Sequence, residues 1–497
     1  MGRYVLAIDA GTTSVRSIVV DPEGRMCASA ASDVAQYFPQ PGWVEHDPDD
    51  IWRGVVETMR GALTRAGISA RDVSGIGITN QRETVVAWER RSGTPVHRAI
   101  VWQDRRTTAA CESLQRDGAS AWVQERTGLR IDPYFSATKI AWLLDHVAGL
   151  RERAQRGEIC VGTVDSWILW RLSGGRVHAT DPTNASRTSL MGLASVAWDD
   201  ELCRLFDVPR EVLASIVPSQ SDVAQIDADL LGESIVVAGV LGDQQAALLG
   251  QGCLRAGDTK NTYGTGCFVL QHTGETALTS NGSLLATAAA TEAGAEQQYA
   301  LEGSIFVTGA AIQWLRDGLG IIASADESEA LAASLADNGD LWFVPALSGL
   351  GAPHWDPYAR GTLVGITRGT TRAHFARAAL ESIAYQTRDV LEAMHLQSRV
   401  AVPELKVDGG ATSNRWLMQF QSDVLGVPVV VAPHSEATAL GAAFAAGVHR
   451  GVWSRHDDLG ALLAGGLRYE PRMGADQRDS LYARWGAALE RSRDWSQ

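Results

Sequence analysis

The chain has 497 residues, of which 45% are hydrophobic and 21% are charged, and its formal net charge is −14 at pH 7. This length exceeds what one hydrophobic core usually supports, so we expect two large domains, and the composition excludes wholesale disorder. The negative charge argues against a nucleic-acid surface, so an anionic ligand would need local devices such as backbone amides, an arginine or a metal ion.

The cysteines and the hydropathy pattern predict a cytoplasmic protein without a membrane span. The six cysteines form no CxxC pair, which favours reduced thiols over a disulfide framework or a zinc site. The N-terminus enters an apolar strand without the h-region of a signal peptide, and no apolar run approaches the length that spans a membrane.

The chain opens with a predicted β-hairpin that has a polar tip. An apolar strand at residues 4–8 ends in Asp9, and the sequence AGTTS at 10–14 turns the chain into a second strand at 15–20. The amides and hydroxyls of this tip suit phosphate oxygens, Arg16 adds a positive charge, and Asp9 is suited to hydrated Mg²⁺. An ordinary β-turn explains the same residues.

A dense polar cluster, TNQRET at 79–84, separates two predicted strands at 73–78 and 85–88. Arg82 only donates hydrogen bonds and Glu83 only accepts them, so the two together are suited to reading hydroxyl groups. A surface ion pair is the alternative interpretation.

Two aromatic residues follow in polar surroundings. Trp102 lies at the end of a predicted strand, in IVWQD at 100–104, where its ring suits the carbon chain of a ligand. Tyr134 precedes a predicted helix and carries a hydroxyl that suits a polar substrate. Core packing is the alternative for both, and it is favoured for Trp102 because the chain contains 16 tryptophans.

The segment IVVAGVLGDQQAALL at 235–249, near the middle of the chain, predicts a buried strand, a tight turn at Gly242 and the start of a helix. Asp243 therefore lies at the carboxyl end of a strand, where open α/β sheets place their ligand chemistry. For an isolated aspartate, capping of the helix N-terminus is the simpler explanation. The polar clusters elsewhere in the chain favour a functional role.

The second half repeats the plan of the opening hairpin. KNTYGTGCFVL at 260–270 predicts a strand, a Gly/Thr turn and a second strand. Two such turns, one near the start of each half, indicate a duplicated fold whose halves face each other across a cleft. Further strands are predicted at 283–289 and 299–307, and they lead to a helix that carries Gln313.

Glycines also end a later predicted strand. After a helix predicted at 374–394, the sequence LKVDGGA at 405–411 runs from a strand into glycines just before a helix containing Asn414. Glycines allow a close backbone approach, which suits an adenine or ribose slot, although a structural connection has the same pattern. The chain lacks a Walker A lysine motif, the protein-kinase signatures and a GxGxxG turn, which disfavours those routes to nucleotide chemistry.

Together these motifs resemble the glycerol kinases of the FGGY carbohydrate kinase family, over nearly the whole chain. The similar segments are AIDAGTTSVR (7–16), PGWVEHDP (41–48), GITNQRET (77–84), IVWQDRR (100–106), IDPYFSATK (131–139), TNASRT (183–188), GDQQAAL (242–248), NTYGTGCF (261–268), GLGAPHWDPYARG (349–361), DGGA (408–411) and TALGAA (438–443). The resemblance implies an α/β fold of two ribonuclease H-like domains, of the actin, Hsp70 and sugar-kinase type, that flank a deep catalytic cleft. Residues 1–245 would bind glycerol and contain the first phosphate turn, and residues 246–497 would bind the nucleotide.

The resemblance also implies ATP-dependent phosphorylation of glycerol to sn-glycerol 3-phosphate, with Asp243 as the catalytic base. The residues expected to bind glycerol are Arg82, Glu83, Trp102, Tyr134, Asp243, Gln244 and Phe268. Those expected to bind the nucleotide are Thr12, Thr13, Ser14, Arg16, Thr265, Gly266, Gly309, Gln313, Gly410, Ala411 and Asn414. Asp9 and Asp243 are expected to orient Mg²⁺ through water.

Two rival functions are left open by the sequence. Another small polyol or sugar kinase of the same family would keep these motifs. An actin- or Hsp70-like ATP-driven clamp would need the phosphate turns but not the residues expected to bind glycerol.

Ala10 and His354 stand where close relatives often carry glutamine and tyrosine, and we expect small effects of both. The expected partners are glycerol, ATP and further copies of the chain in a homodimer or homotetramer, without nucleic acid.

Overall fold

Two mixed β-sheets, one in each half of the chain, carry the fold. The structure, a computed structural model, describes residues 2–279, 282–434, 436–454, 463 and 465–496. The strands are β1 (Tyr4–Ala10), β2 (Ser14–Val20), β3 (Met26–Asp33), β4 (Gln36–Tyr37), β5 (Glu45–His46), β6 (Val73–Asn80), β7 (Val86–Glu89), β8 (Ala99–Ile100), β9 (Ile159–Gly162), β10 (Ala179–Thr180), β11 (Met191–Gly192), β12 (Ala197–Trp198), β13 (Ser215–Ile216), β14 (Ala224–Gln225), β15 (Val236–Gly242), β16 (Thr259–Tyr263), β17 (Cys267–Gly274), β18 (Leu285–Ala288), β19 (Tyr299–Ile305), β20 (Trp342–Val344), β21 (Thr362–Val364), β22 (Leu405–Gly409), β23 (Val429–Val431) and β24 (Arg468–Tyr469).

Helices connect these strands and cover the sheets. They are α1 (Pro48–Ala66), α2 (Thr108–Arg116), α3 (Ser120–Thr127), α4 (Ser136–His146), α5 (Leu150–Gln155), α6 (Val164–Leu172), α7 (Pro182–Ala185), α8 (Asp200–Leu205), α9 (Ala228–Leu231), α10 (Asp243–Gly250), α11 (Gly309–Gln313), α12 (Glu327–Ala333), α13 (Arg372–Ser398), α14 (Arg415–Leu425), α15 (Ala437–His449) and a C-terminal helix (Ala475–Glu490). Within the described ranges, no helix combines the length and the apolar character needed to cross a membrane.

The two sheets share one central strand order. In the first sheet the order is β14-β15-β6-β1-β2-β3, and β1 pairs antiparallel with β2 and parallel with β6. In the second sheet the order is β18-β19-β17-β16-β22-β23-β24, and β16 pairs antiparallel with β17 and parallel with β22. Each half therefore has a ribonuclease H-like sheet, and the predicted α/β fold with two such domains is confirmed.

Each sheet is covered on one face by a helix that follows a strand of the other sheet. Leu440 and Phe444 of α15, which follows β23, belong to one buried cluster with Val5 of β1. Leu248 of α10, which follows β15, belongs to a buried cluster with Leu270 of β17. The predicted domain boundary between residues 245 and 246 lies inside α10 and stays a prediction.

Glycines allow α10 and α15 to cross with their backbones in contact. A Cβ atom on Gly441 of α15 would overlap the carbonyl oxygen of Ala246, and one on Gly250 of α10 would overlap that of Ala437. Close packing of this kind leaves little freedom in the position of either helix. It fixes Asp243, the first residue of α10, relative to both sheets.

Two predicted elements end differently from the expectation. The strand predicted to reach residue 104 stops at Ile100, because the amide of Trp102 donates to the Thr84 hydroxyl at 3.1 Å instead of to a neighbouring strand. Asn414, predicted within a helix, precedes α14 as its N-cap, and its side chain accepts from the Leu417 amide at 2.9 Å. The other predicted strands and helices named above are present, with ends shifted by a few residues.

Replacing Gly441 by alanine should destabilise the protein, because the added methyl group forces α10 and α15 apart. Overpacking of this kind costs about 1–3 kcal/mol. Gly486→Ala is the matched control, since Gly486 lies in the C-terminal helix with open space at its Cβ position. It should leave stability unchanged or raise it by up to about 1 kcal/mol. Thermal unfolding midpoints measure both effects, and a midpoint of Gly441→Ala equal to that of the parent would contradict the contact.

Candidate active site

Asp243 lies at the junction of β15 and α10, as predicted. The N-cap of α10 is Gly242, so the Asp243 carboxylate is not the capping group. Its Oδ1 accepts from the Gln244 amide at 2.7 Å and forms an ion pair with Nε of Arg82 at 3.1 Å. Burial raises the pKa of Asp243, and Arg82 opposes that rise. The side chain is 30% exposed, which leaves the carboxylate fixed on one side and open on the other.

Arg82 and Glu83 follow β6 and point into the protein. Each side chain is 2% exposed, which excludes the alternative interpretation of this motif as a surface ion pair. Glu83 has a φ of 62°, a left-handed conformation that a non-glycine residue adopts only when its surroundings impose it. Strain of this kind clusters at functional sites, and here it turns the Glu83 side chain towards Arg187, whose Nε donates to Glu83 Oε1 at 2.7 Å.

Two charged residues without a predicted role, Arg187 and Glu302, complete a buried cluster with this pair. Nη1 of Arg82 donates to Glu302 Oε2 at 2.6 Å, and its Nη2 donates to Oε1 at 3.1 Å. Nη2 of Arg187 donates to the same Oε1 at 2.9 Å. Burial alone would raise the pKa of Glu302, but Arg187 and Arg82 lower it to about 2, so the carboxylate is ionised.

The two predicted aromatic residues lie beside this cluster. The rings of Trp102 and Tyr134 meet edge to face with centroids 5.6 Å apart, and the Trp102 indole N–H donates to the Thr12 hydroxyl at 3.0 Å. The Arg187 guanidinium lies over the Tyr134 ring at 5.7 Å. The backbone of Tyr134 is held by Lys139, whose Nζ donates to its carbonyl at 2.6 Å, and burial lowers the pKa of Lys139 to about 8.

Gln244 and Phe268 approach the cluster from the side of the second sheet. Nζ of Lys260, on β16, donates to Gln244 Oε1 at 2.6 Å and to the Thr262 hydroxyl at 2.9 Å. Burial lowers the pKa of Lys260 to about 8, and Asp243 is one of the carboxylates that oppose this shift. Phe268 lies directly across from Thr262 in the β16–β17 pair and is half-buried against the cluster around Leu248.

The first Gly/Thr turn joins β1 to β2, with the Gly11 amide donating to the Ser14 carbonyl at 3.0 Å. Thr13 is exposed, and Thr12 and Ser14 are half-buried. Arg16, predicted to bind phosphate, forms an ion pair with Glu436, which had no predicted role.

The second Gly/Thr turn lies at the same sheet edge as the glycines after β22. The Gly309 amide donates to the Gly264 carbonyl at 3.3 Å, and a Cβ on Gly266 or Gly309 would overlap the backbone opposite. Because Tyr263 pairs with Gly409, the turn containing Thr265 and the segment of Gly410 and Ala411 lie side by side. Space at Gly410 is open.

The side chains of two residues predicted to bind the nucleotide are either exposed or bonded to other parts of the structure. Gln313, the last residue of α11, is exposed. The Asn414 side chain is engaged in capping α14 and in a bond from its Nδ2 to the Ser328 hydroxyl at 3.4 Å. The structure therefore brings Gly309, Thr265 and Gly410 to one edge, and the nucleotide-binding roles of these residues, like those of Gln313 and Asn414, stay predictions.

The carboxylates near the first turn are only partly compensated by neighbouring cations. Burial, then Asp243 and then Glu436, raise the pKa of Asp9 to about 7, and Arg16 only partly opposes them. A cation would relieve this repulsion, so the residues fit the expected Mg²⁺. Among the described residues, no three His, Cys, Asp or Glu side chains form a metal site. An ion here would take most ligands from water and phosphate oxygens, as Mg²⁺ commonly does.

Lys139 and Lys260 were not predicted to belong to the site, although the rarity of lysine in this chain could have pointed to them. It has only three, Lys139, Lys260 and Lys406, among 44 basic residues. Lys139 and Lys260 are both fully buried beside the predicted glycerol residues. At Lys139 and Lys260 the chain thus uses a flexible point charge in place of the arginine that it uses almost everywhere else.

Comparisons with known proteins give one consistent result. The model of the FGGY family of carbohydrate kinases, N-terminal domain, matches residues 4–250, and that of the C-terminal domain matches residues 259–450. A glycerol kinase of Dechloromonas aromatica (strain RCB) is 53% identical over 494 residues, covering 99% of this chain and 98% of that protein. Glycerol kinase 2 of Thermotoga maritima is 52% identical over 493 residues, covering 99% of each. The crystal structure of Plasmodium falciparum glycerol kinase with ADP matches with a TM-score of 0.94 at 32% identity, covering 98% of each chain.

Replacing Asp9 by asparagine should raise the thermal unfolding midpoint of the ligand-free protein. Folding raises the Asp9 pKa from 3.8 to about 7, so the ionised carboxyl destabilises the folded state increasingly as the pH rises from about 4 to about 7. We expect a gain of about several degrees at pH 8, a smaller gain at pH 5.5 and none near pH 4. Asp200→Asn, at an exposed position, controls for removal of a charge. A gain that does not change with pH would contradict the prediction.

Proposed function

This chain belongs to the FGGY family of carbohydrate kinases, and from that premise we propose that it is an ATP:glycerol 3-phosphotransferase. It would transfer the γ-phosphate of ATP to glycerol and release sn-glycerol 3-phosphate and ADP. The observation that carries the proposal is the group formed by Arg82, Glu83 and Asp243: a donor, an acceptor and a half-open carboxylate in one cluster. Full-length relatives named glycerol kinase, at 52–53% identity, support glycerol as the polyol.

The chemistry of phosphoryl transfer requires alignment and charge neutralisation more than a strong base. A terminal hydroxyl of glycerol gives up its proton late in such a transfer, so an ordinary carboxylate can accept it. Asp243 suits this role because Arg82 counteracts the rise in its pKa that burial causes, and Lys260 acts in the same direction. The Asp243 side chain is 30% exposed, which supports approach of a hydroxyl to its carboxylate.

The nucleotide would bind between the two Gly/Thr turns. Thr12, Thr13 and Ser14 would hold phosphates from one side and Thr265 and Gly266 from the other, with Gly309, Gly410 and Ala411 along the adenosine part. Mg²⁺ supplies charge neutralisation of the phosphates when bound, and Asp9 and Asp243 would hold its water shell. Substrates bound on opposite halves would allow closure to exclude water and limit hydrolysis of ATP.

Polyol selection would come from buried polar partners. A site built to hydrogen-bond a hydroxyl rejects an analogue without it by about 10⁴-fold or more, because the partners are left unsatisfied. The enclosed pair of Arg82 and Glu83, with Trp102 and Tyr134 packed edge to face beside it, supports this kind of selection. An ATP-driven clamp has no use for such a pair, so the kinase is the stronger candidate of the two.

Asp243→Asn should abolish transfer while preserving nucleotide binding. An amide has the same shape but cannot accept the hydroxyl proton, so we expect kcat to fall about 10²–10⁴-fold or more. The Kd for ADP, measured by calorimetry, should change little. Asp200→Asn is the matched control, because Asp200 also lies in the first turn of a helix but is 73% exposed. Near-normal kcat of Asp243→Asn would remove Asp243 from the proposed role.

Arg82→Ala separates the kinase from its two rivals. ADP release is measured with glycerol, dihydroxyacetone, a pentulose and no acceptor. For the parent we expect glycerol to give the highest kcat/KM, and for the variant we expect that value to fall about 100-fold, because a charged hydrogen-bond donor is lost. Preference for a pentulose would favour another sugar kinase. ATP hydrolysis without acceptor that Arg82→Ala leaves unchanged would favour the clamp.

A further inference from the structure

The side chains proposed to bind the polyol have most of their hydrogen-bonding groups already engaged. A guanidinium has five N–H groups. In Arg82, Nε faces Asp243, Nη1 bonds to Gln245 and Glu302, and Nη2 gives one hydrogen to Glu302. One Nη2 hydrogen is left for a ligand.

Glu83 is restricted in the same way. Its Oε1 accepts from Arg187 at 2.7 Å, whereas its Oε2 has no hydrogen-bond partner among the residues that the structure describes. The pair of Arg82 and Glu83 therefore presents one donor and one acceptor, which is the complement of two neighbouring hydroxyl groups.

The residues that impose this state are Glu302 and Arg187, and both are fully buried. Glu302 takes both Nη atoms of Arg82 on its two oxygens, a forked arrangement that fixes the plane of the guanidinium. Arg187 bonds to Glu83 through Nε and to Glu302 through Nη2, so it fixes the distance between the two carboxylates. The four side chains carry two positive and two negative charges and compensate one another.

Glu302 comes from a different half of the chain than the other three residues. Arg82, Glu83 and Arg187 come from the first half of the chain, whereas Glu302 lies on β19 of the second sheet. Only contact between the two halves brings its carboxylate to Arg82. The fixed orientation of the polyol-binding arginine therefore depends on a residue of the half proposed to bind ATP.

We propose that Glu302 and Arg187 are positioning residues that set polyol specificity, by leaving one donor on Arg82 and one acceptor on Glu83, and that Glu302 makes this arrangement depend on contact between the halves. This inference rests on the proposed function, because it assigns a task to residues behind the proposed polyol site. Neither residue touches the polyol in this arrangement. Their effect passes entirely through Arg82 and Glu83.

A double-mutant cycle with Glu302→Gln and Arg82→Ala tests this. Glutamine keeps the shape of Glu302 but offers one acceptor where Arg82 needs two. We expect Glu302→Gln to raise KM for glycerol about 10-fold or more, with KM for ATP within about 2-fold, and to reduce the preference for glycerol over propane-1,2-diol. In the Arg82→Ala background the same change should raise KM for glycerol by a smaller factor, because the route through Arg82 is gone and only the route through Arg187 and Glu83 is left.

Glu381→Gln is the matched control for loss of a buried carboxylate. Glu381 is 3% exposed, accepts from Arg377 at 2.8 Å and from Asn338 at 2.9 Å, and lies in α13. It should lower the unfolding midpoint without changing KM for glycerol. If Glu302→Gln does not fold, a double-mutant cycle with Arg187→Lys and Glu83→Gln replaces it. Lysine keeps the positive charge but cannot make the two separate hydrogen bonds of Arg187. The rise in KM for glycerol should again be smaller in the second background.

The outcomes separate the inference from the proposed function. A parent that phosphorylates glycerol, with KM unchanged in Glu302→Gln or raised by equal factors in both backgrounds, overturns the inference alone. A parent that phosphorylates no polyol of the panel overturns the proposed function and this inference with it. A rise in KM for glycerol that is smaller in the Arg82→Ala background than in the parent supports both.

Discussion

Mutual compensation among four buried charges is the constraint on which the rest of the candidate site depends. Arg82, Glu83, Arg187 and Glu302 have almost no exposed surface, so each is stable only in the presence of the others. Removing one partner of a buried ion pair costs about 3–5 kcal/mol, because an uncompensated charge is left behind. The hydrogen bonds of the cluster offset the strain of the left-handed backbone at Glu83.

The exchange of helices between the sheets brings these charges together. β15 belongs to the first sheet, but α10, which continues from it, packs against β17 of the second. Asp243 therefore stands at the point where the chain passes from one half to the other. Lys260 on β16 reaches Gln244 from the second half in the same region. The glycine contacts between α10 and α15 prevent these groups from shifting independently.

Local pattern was sufficient to predict most of the strands and helices and the duplication of the fold, whereas the ribonuclease H-like architecture and the roles of the candidate site residues were implied by the family resemblance. The strand ending at Gly242, the two Gly/Thr turns and the polar run at 79–84 each combine strand periodicity with a few turn residues, which short stretches of sequence reveal. Glu302 was not predictable in this way, because YALEGSI shows only a strand with one polar residue. Its partner Arg82 is 220 residues away in the chain, and a pairing over that distance leaves no recognisable pattern in a short stretch of sequence. The sequence predicts a helix that contains Asn414 but does not fix its first residue, and the structure shows Asn414 as the N-cap of α14.

The two ends of the site differ in their charge balance, and this difference follows the chemistry of the proposed substrates. Around Arg82 the cations and anions are matched, so a neutral polyol can replace water there without an electrostatic penalty. Around Asp9 the carboxylates of Asp243 and Glu436 outweigh Arg16, so a polyphosphate alone would be repelled. A divalent cation bound to the phosphates reverses that repulsion. In the proposed function, the carboxylates that together with burial raise the pKa of Asp9 would therefore favour the metal complex of the nucleotide over the free nucleotide, whereas the polyol end would select by hydrogen bonds.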